Sequence, residues 1–259
     1  MKKSRNKLIT TVMLILVSAT IVGTASYAWF TMNDRVNAGM DIEAVAAKNL
    51  VISETSDGYY TTAVSLSDTG VTKVLNPVST FDLVDWFVPD GDEGISYDTG
   101  EISEDTPFLQ LSLDDLTGYV RVGTVYVKSD MADSDDSFSK VYVSKITVNR
   151  GDEESEITKA LRIGVVCGDN TLVFDYDSLN TYLKTKVIES VDDETRAPTL
   201  ADLECNVVGP TAVIAENVGT APVKVEIYLW YEGQDEACIS HNSIKVENVE
   251  VIVEFQGIR

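Results

Sequence analysis

Along most of the chain apolar and polar residues alternate, a period of two that marks strands with one face buried and the other wet. Met40, Ile42 and Ala44 alternate with Asp41, Glu43 and Val45. The pattern returns in Tyr119 to Lys128, Val141 to Val148 and Leu161 to Cys167. It is clearest late in the chain, where Val223, Val225, Ile227, Leu229 and Tyr231 share one face, and Val249, Val251, Val253 and Phe255 another. Both segments read as core strands. Turn chemistry separates the runs at Asp57-Gly58, Asp90-Gly91, Arg150-Gly151-Asp152, Gly168-Asp169-Asn170 and Gly219. Only Ser178 to Val187 has helical spacing, with Ser178 as cap and Leu179, Tyr182, Leu183 and Lys186 on one face. Many short strands and scarcely a helix predict a mainly all-β chain. The expected form is an antiparallel β-sandwich, jelly-roll or immunoglobulin-like, with an N-terminal signal helix and one short helix.

The first residues break this pattern. Lys2, Lys3, Arg5 and Lys7 precede an uncharged run from Leu8 to Gly23, and Ser26-Tyr27-Ala28 then places small residues where a signal peptidase reads them. Cleavage is expected between Ala28 and Trp29. The competing reading retains the segment as a membrane anchor, since Leu8 to Phe30 is long enough to span a bilayer. Both readings export the remainder by the Sec pathway, because the basic flank stays on the cytoplasmic side.

Charge narrows the partners. The net charge is −22, and residues 1 to 28 hold four positive charges and no negative one, so the processed chain carries −26. Such an acidic surface offers nothing to nucleic acid and meets membrane only through the signal segment. Acidic clusters fall between the strands. The bland reading is solvated loops, and the sharper one is calcium, with Asp130, Asp133, Asp135 and Asp136 as candidate ligands. That stretch lacks the glycine and terminal glutamate of an EF-hand loop. No other cofactor is expected.

Catalytic chemistry has little to work with. His241 is the one histidine, no HExxH or G-x-S-x-G occurs, and phosphate-binding glycine loops are missing. Cys238 and His241 have C-x-x-H spacing, which with Cys167 and Cys205 gives a formal Cys₃His set. The plainer reading is a loop histidine beside a structural cysteine. Three cysteines fit one disulfide plus a free thiol, or three reduced thiols. Paired carboxylates for glycoside hydrolysis are a formal alternative only. Trp86, Phe87, Tyr228, Trp230 and Tyr231 would make a sugar-stacking platform if they faced solvent. Tyr228 and Trp230 point away from the apolar face of their strand, so either a second layer covers them or they form a partner surface. The expectation is a protein that is not an enzyme.

Ala25-Ser26-Tyr27-Ala28-Trp29-Phe30-Thr31, directly after the apolar run, resembles the SipW-type signal peptide of TasA/camelysin-like secreted proteins of Firmicutes. The segment Ile227 to Cys238 looks like an element of clostridial surface proteins with the same signal. The resemblance covers about thirty residues at the start and a dozen near the end. It implies a Gram-positive jelly-roll subunit that forms a homopolymer, an extracellular fibre of the biofilm matrix or cell surface, and that meets a signal peptidase and other matrix components. In that family the freed N-terminal segment adds as a donor strand to a neighbour. Here the donor would be residues 29–45, with Trp29, Phe30, Met40, Ile42 and Ala44 as polymerisation residues. Two departures are the cysteines, which the family does not lead one to expect, and the want of zinc ligands for the protease activity once attached to camelysin. The expected organisation is residues 1–28 as signal peptide, 29–45 as N-terminal segment and 46–259 as β-sandwich domain. Residues 29–45 as the first strand of their own sheet, and a monomeric adhesin or glycan-binding module using Tyr228 and Trp230, are the alternatives.

Overall fold

Successive Cβ atoms of an extended chain point to opposite faces, so an alternating run hides its apolar set only by joining a sheet laid against another layer. The computed structural model describes residues 40–47, 49–66, 75–80, 82–90, 95–96, 101–102, 107–131, 137–149, 156–175, 186–191, 198–202, 212–235, 237–238 and 249–259. In chain order the strands begin with β1 (Met40–Ala46), β2 (Leu50–Ser53), β3 (Ala63–Leu66), β4 (Ser79–Thr80), β5 (Trp86–Pro89) and β6 (Ile95–Ser96). They continue with β7 (Glu101–Ile102), β8 (Phe108–Leu111), β9 (Arg121–Ser129), β10 (Phe138–Asn149), β11 (Leu161–Cys167) and β12 (Asn170–Asp175). The last are β13 (Lys186–Val191), β14 (Pro198–Asp202), β15 (Val213–Val218), β16 (Val223–Tyr231) and β17 (Val249–Ile258). Two 3₁₀ turns, Leu113–Leu116 and Glu156–Ala160, interrupt them, and no α-helix occurs among the described residues.

The helix expected over Ser178 to Val187 is corrected at its end. Lys186 and Val187 open β13, which pairs antiparallel with β14. The branched side chains of Val187, Ile188 and Val191 favour that extended form. Residues 178–185 and the signal segment lie outside the described residues.

Two five-stranded sheets carry most of the strand residues. The first runs β15-β10-β17-β1-β3 and the second β12-β11-β16-β9-β2. Their pairs are antiparallel except β1 with β17, which run parallel from Met40 opposite Val249 to Ala46 opposite Phe255. The inward residues of both sheets form one apolar core. Ile42, Ala44, Val251, Val253 and Phe255 come from the first sheet, and Val125, Val127, Ile163, Val165, Ile227 and Leu229 from the second. Each fully buried aliphatic or aromatic side chain among them contributes roughly 1.5–3 kcal/mol over its exposed state. Gly123 on β9 makes room for this contact, because a Cβ there would sit 2.5 Å from Leu66 Cδ1 and 3.1 Å from Ile42 Cδ1.

The flanks of the two sheets are tied together. An isolated bridge joins Ile52 to Thr61 on one side, and Asn170 Nδ2 donates to Ile214 O at 3.0 Å on the other. Strand β10 departs from simple alternation. Its register with β17 shifts between Val143 and Lys145, so Val141, Val143 and Ile146 all point inward around a bulge at Ser144.

A third sheet, β4-β5-β8, forms a cap over the outer face of the second sheet. Val78, Leu83, Trp86, Val88 and Val120 close there on Trp230, with Tyr228, Val166 and Val173 packed alongside. Strands β6-β7 and β13-β14 form two separate hairpin-like pairs.

Candidate functional site

The seam between cap and second sheet concentrates the buried polar groups of the described chain, and β16 creates it. Val225, Ile227, Leu229 and Tyr231 take the core face, so Tyr228 and Trp230 must take the other. Trp230 is fully buried there, edge-on to Trp86 with ring centroids 5.5 Å apart, and Tyr228 stacks on Trp86 at 6.2 Å. Strand β11 is cut away beneath them. A Cβ at Gly164 would meet Leu83 Cδ1 at 2.6 Å and Trp230 Cζ3 at 3.3 Å. Leu83 reaches this position from a left-handed backbone, φ 62°, which is costly for a branched side chain. The Thr80 and Asp82 side chains hold that turn: Leu83 N donates to Thr80 Oγ1 at 3.0 Å, and Val84 N and Asp85 N donate to Asp82 Oδ1 at 2.8 and 2.7 Å.

Just past β16 the same face presents Glu232, a carboxyl with no solvent exposure. Ser79 Oγ on β4 bonds its Oε1, Trp230 Nε1 donates to Oε2 at 3.2 Å, and Gln234 N donates to Oε1 at 3.3 Å. Backbone bonds fix the junction, with Val78 N donating to Tyr231 O at 3.0 Å and Glu232 N to Ala160 O at 2.8 Å. Burial pushes the Glu232 carboxyl up to about 7, against the opposing pull of Ser79, Arg162, Trp230 and the Gln234 amide. Arg162, on β11 beside Trp230, is itself buried and pairs with Asp235 at 2.5 Å. Its Nη1 also donates to Lys159 O at 2.8 Å. Three buried donors at this seam, Trp86 Nε1, Arg162 Nε and Gln234 Nε2, have no hydrogen-bond partner among the described residues.

The sequence-level candidates are dispersed. Ala28, Trp29 and Phe30 lie outside the described residues, as do Asp133, Asp135, Asp136, Cys205 and His241. Asp130 is exposed just beyond β9, and no group of three metal-ligating side chains occurs among the described residues. Met40 opens β1, while Ile42 and Ala44 are fully buried in the core. Cys167 and Cys238 are free, buried thiols. Burial raises both above the ordinary thiol range, and Asp235 and Glu232 add to the rise at Cys238, so neither is primed as a nucleophile. Cys238 lies by Tyr231 and Arg162, whereas Cys167 ends β11 six residues beyond Leu161, which pairs with Tyr231. That is roughly 20 Å of strand, so one Cys₃His site cannot use both.

Of the two readings left open for Tyr228 and Trp230, the structure shows the covering layer: Trp230 is buried and Tyr228 half-buried under the cap, which itself carries the buried Trp86 and Phe87, while Tyr231 is buried on the core face. The seam residues Ser79, Arg162, Glu232 and Asp235 were not among the candidates. The one local signal was a charged Glu-Gly-Gln-Asp stretch ending an apolar strand. Compared with known proteins, the chain matches no protein family, no curated protein and no solved structure.

Proposed function

We propose that this chain is an exported structural protein of a Gram-positive cell surface or biofilm matrix, a TasA-like subunit whose work is assembly and not catalysis. The two five-stranded sheets sharing one core support reading it as an antiparallel β-sandwich of jelly-roll or immunoglobulin-like type. The signal segment of residues 1–28 supports export, and residues 29–45 are the proposed donor segment.

The observation that carries the assembly reading is the setting of β1. It is the one parallel partner in its sheet, it lies between β17 and β3, and it buries Ile42, Ala44 and Ala46 to 4% exposure or less. Withdrawing it would leave a strand-shaped slot with open backbone partners on both walls. A second copy carries the same seven residues and fits that slot by identity, the logic of domain swapping. Signal cleavage then acts as the release step for the segment ahead of β1. The glycan-binding alternative would need the cap displaced, since it covers Trp230.

A cysteine pair tests the exchange. Asp41 and Glu250 are neighbours across β1 and β17 on the outward face, at a strand spacing suited to a disulfide. In chain lacking residues 1–28, Asp41→Cys with Glu250→Cys oxidised before assembly locks β1 at home and should abolish filaments in electron micrographs. Oxidised after assembly, the pair should give a covalent ladder on denaturing gels. Filaments that form equally well from locked monomer, or filaments that yield no ladder, would rule out exchange of β1. Monodisperse particles from the unlocked chain under all conditions would rule out assembly itself.

A further inference from the structure

The seam under the cap is built against itself. With β4 and β5 closed on the second sheet a carboxyl is buried and, among the described residues, three donors at the seam have no acceptor, an arrangement that is costly when water is kept out. The attraction opposing this is aromatic: Trp86, Tyr228 and Trp230 in contact, and Leu83 seated over Gly164. Among the described residues, Glu232 bonds both bodies of the seam, through Ser79 on the cap and Trp230 on the sheet. We propose that the cap is a proton-controlled cover: protonated Glu232 holds it closed in weakly acidic medium, and ionised Glu232 loosens it at higher pH, baring the Trp86, Tyr228 and Trp230 surface.

The groups facing Glu232 allow this. From β11 comes Arg162, whose charge is already matched by Asp235 at 2.5 Å. From its own segment come Asp235 and the buried thiol of Cys238, and from the cap the uncharged Ser79 hydroxyl. When Glu232 is protonated, the Ser79–Glu232 contact can run with the carboxyl as donor; when it is ionised, Ser79 must donate. Burial is the largest influence and favours the neutral form, raising the group from 4.5 to about 7 in the closed seam. The closed state therefore binds a proton that the open, hydrated state gives up. Between those two values the closing equilibrium weakens about tenfold per pH unit, and above the upper one it is flat.

The test uses the chain carrying Trp29→Phe, so that emission comes only from Trp86 and Trp230, with acrylamide quenching and urea titration from pH 5 to pH 9. The expected result is that quenching rises and the urea midpoint of indole emission falls as pH is raised to about 7, ahead of any loss of far-ultraviolet signal. Glu232→Gln should lose this slope. The difference between the two profiles isolates Glu232 among the 42 acidic residues of the chain. Identical profiles would overturn the proposal, and so would indole and far-ultraviolet transitions that coincide at every pH. Should Glu232→Gln not fold, Ser79→Ala serves instead. It removes a bond that favours the ionised carboxylate, so the transition should move to higher pH, and an unmoved transition would overturn the proposal.

Discussion

The two-sheet core and the seam beneath the cap lie on opposite faces of β16 and obey opposite rules. On the core face, Val225, Ile227 and Leu229 need only be apolar and to meet Val125, Ile163 or Val253 in the shared core. On the cap face, Trp230 needs Glu232 for its indole N–H, Gly164 for its ring and Leu83 in a left-handed turn. The core tolerates exchange among residues of similar volume, whereas the seam depends on particular atoms. One strand thus joins a robust layer to a fragile one.

Breaking the core should have the largest effect. Phe255→Ala removes a fully buried ring and should cost about 3–5 kcal/mol, with far-ultraviolet and indole signals lost together in urea. Asp235→Ala comes next, because it leaves the Arg162 guanidinium buried without its carboxylate; about 3 kcal/mol is expected, read first in Trp86 and Trp230 emission. Gly164→Ala sharpens the contrast further. Its methyl displaces Leu83 from β11, so about 1–3 kcal/mol should vanish from the indole transition while the far-ultraviolet midpoint holds. Equal shifts in both signals would show that cap and core are a single unit. At the small end, Lys224→Ala breaks an exposed pair with Glu226 at 2.8 Å and should change the urea midpoint by less than about 1 kcal/mol equivalent.

How far the sequence was legible follows the same division. Alternation placed β16 and β17 with the correct inward faces, because a period of two is a local property of the chain. It misdescribed β10, where the bulge at Ser144 resets the inward face and the partner β17 lies about a hundred residues away. Tyr228 and Trp230 were correctly turned away from the core, but what met them was undecided, since their cover comes from residues 78–88. Glu232 was invisible as a buried group for the same reason: a carboxylate after a strand reads as a solvated turn until Ser79 and Ala160 close over it. The helical spacing at Ser178 to Val187 was outweighed at its end by pairing with β14.

Parallel strands share a direction, and in β1 and β17 this sets the polarity of the whole first sheet. Met40 stands level with Val249, so Arg259 is ten residues further along, roughly 33 Å toward the opposite pole. The start of β1 and the end of β17 therefore lie at opposite poles of this sheet. A dye or fusion placed at Arg259 marks one pole of the subunit and leaves the other untouched, so labels along a row of such subunits would report whether they stand head to tail.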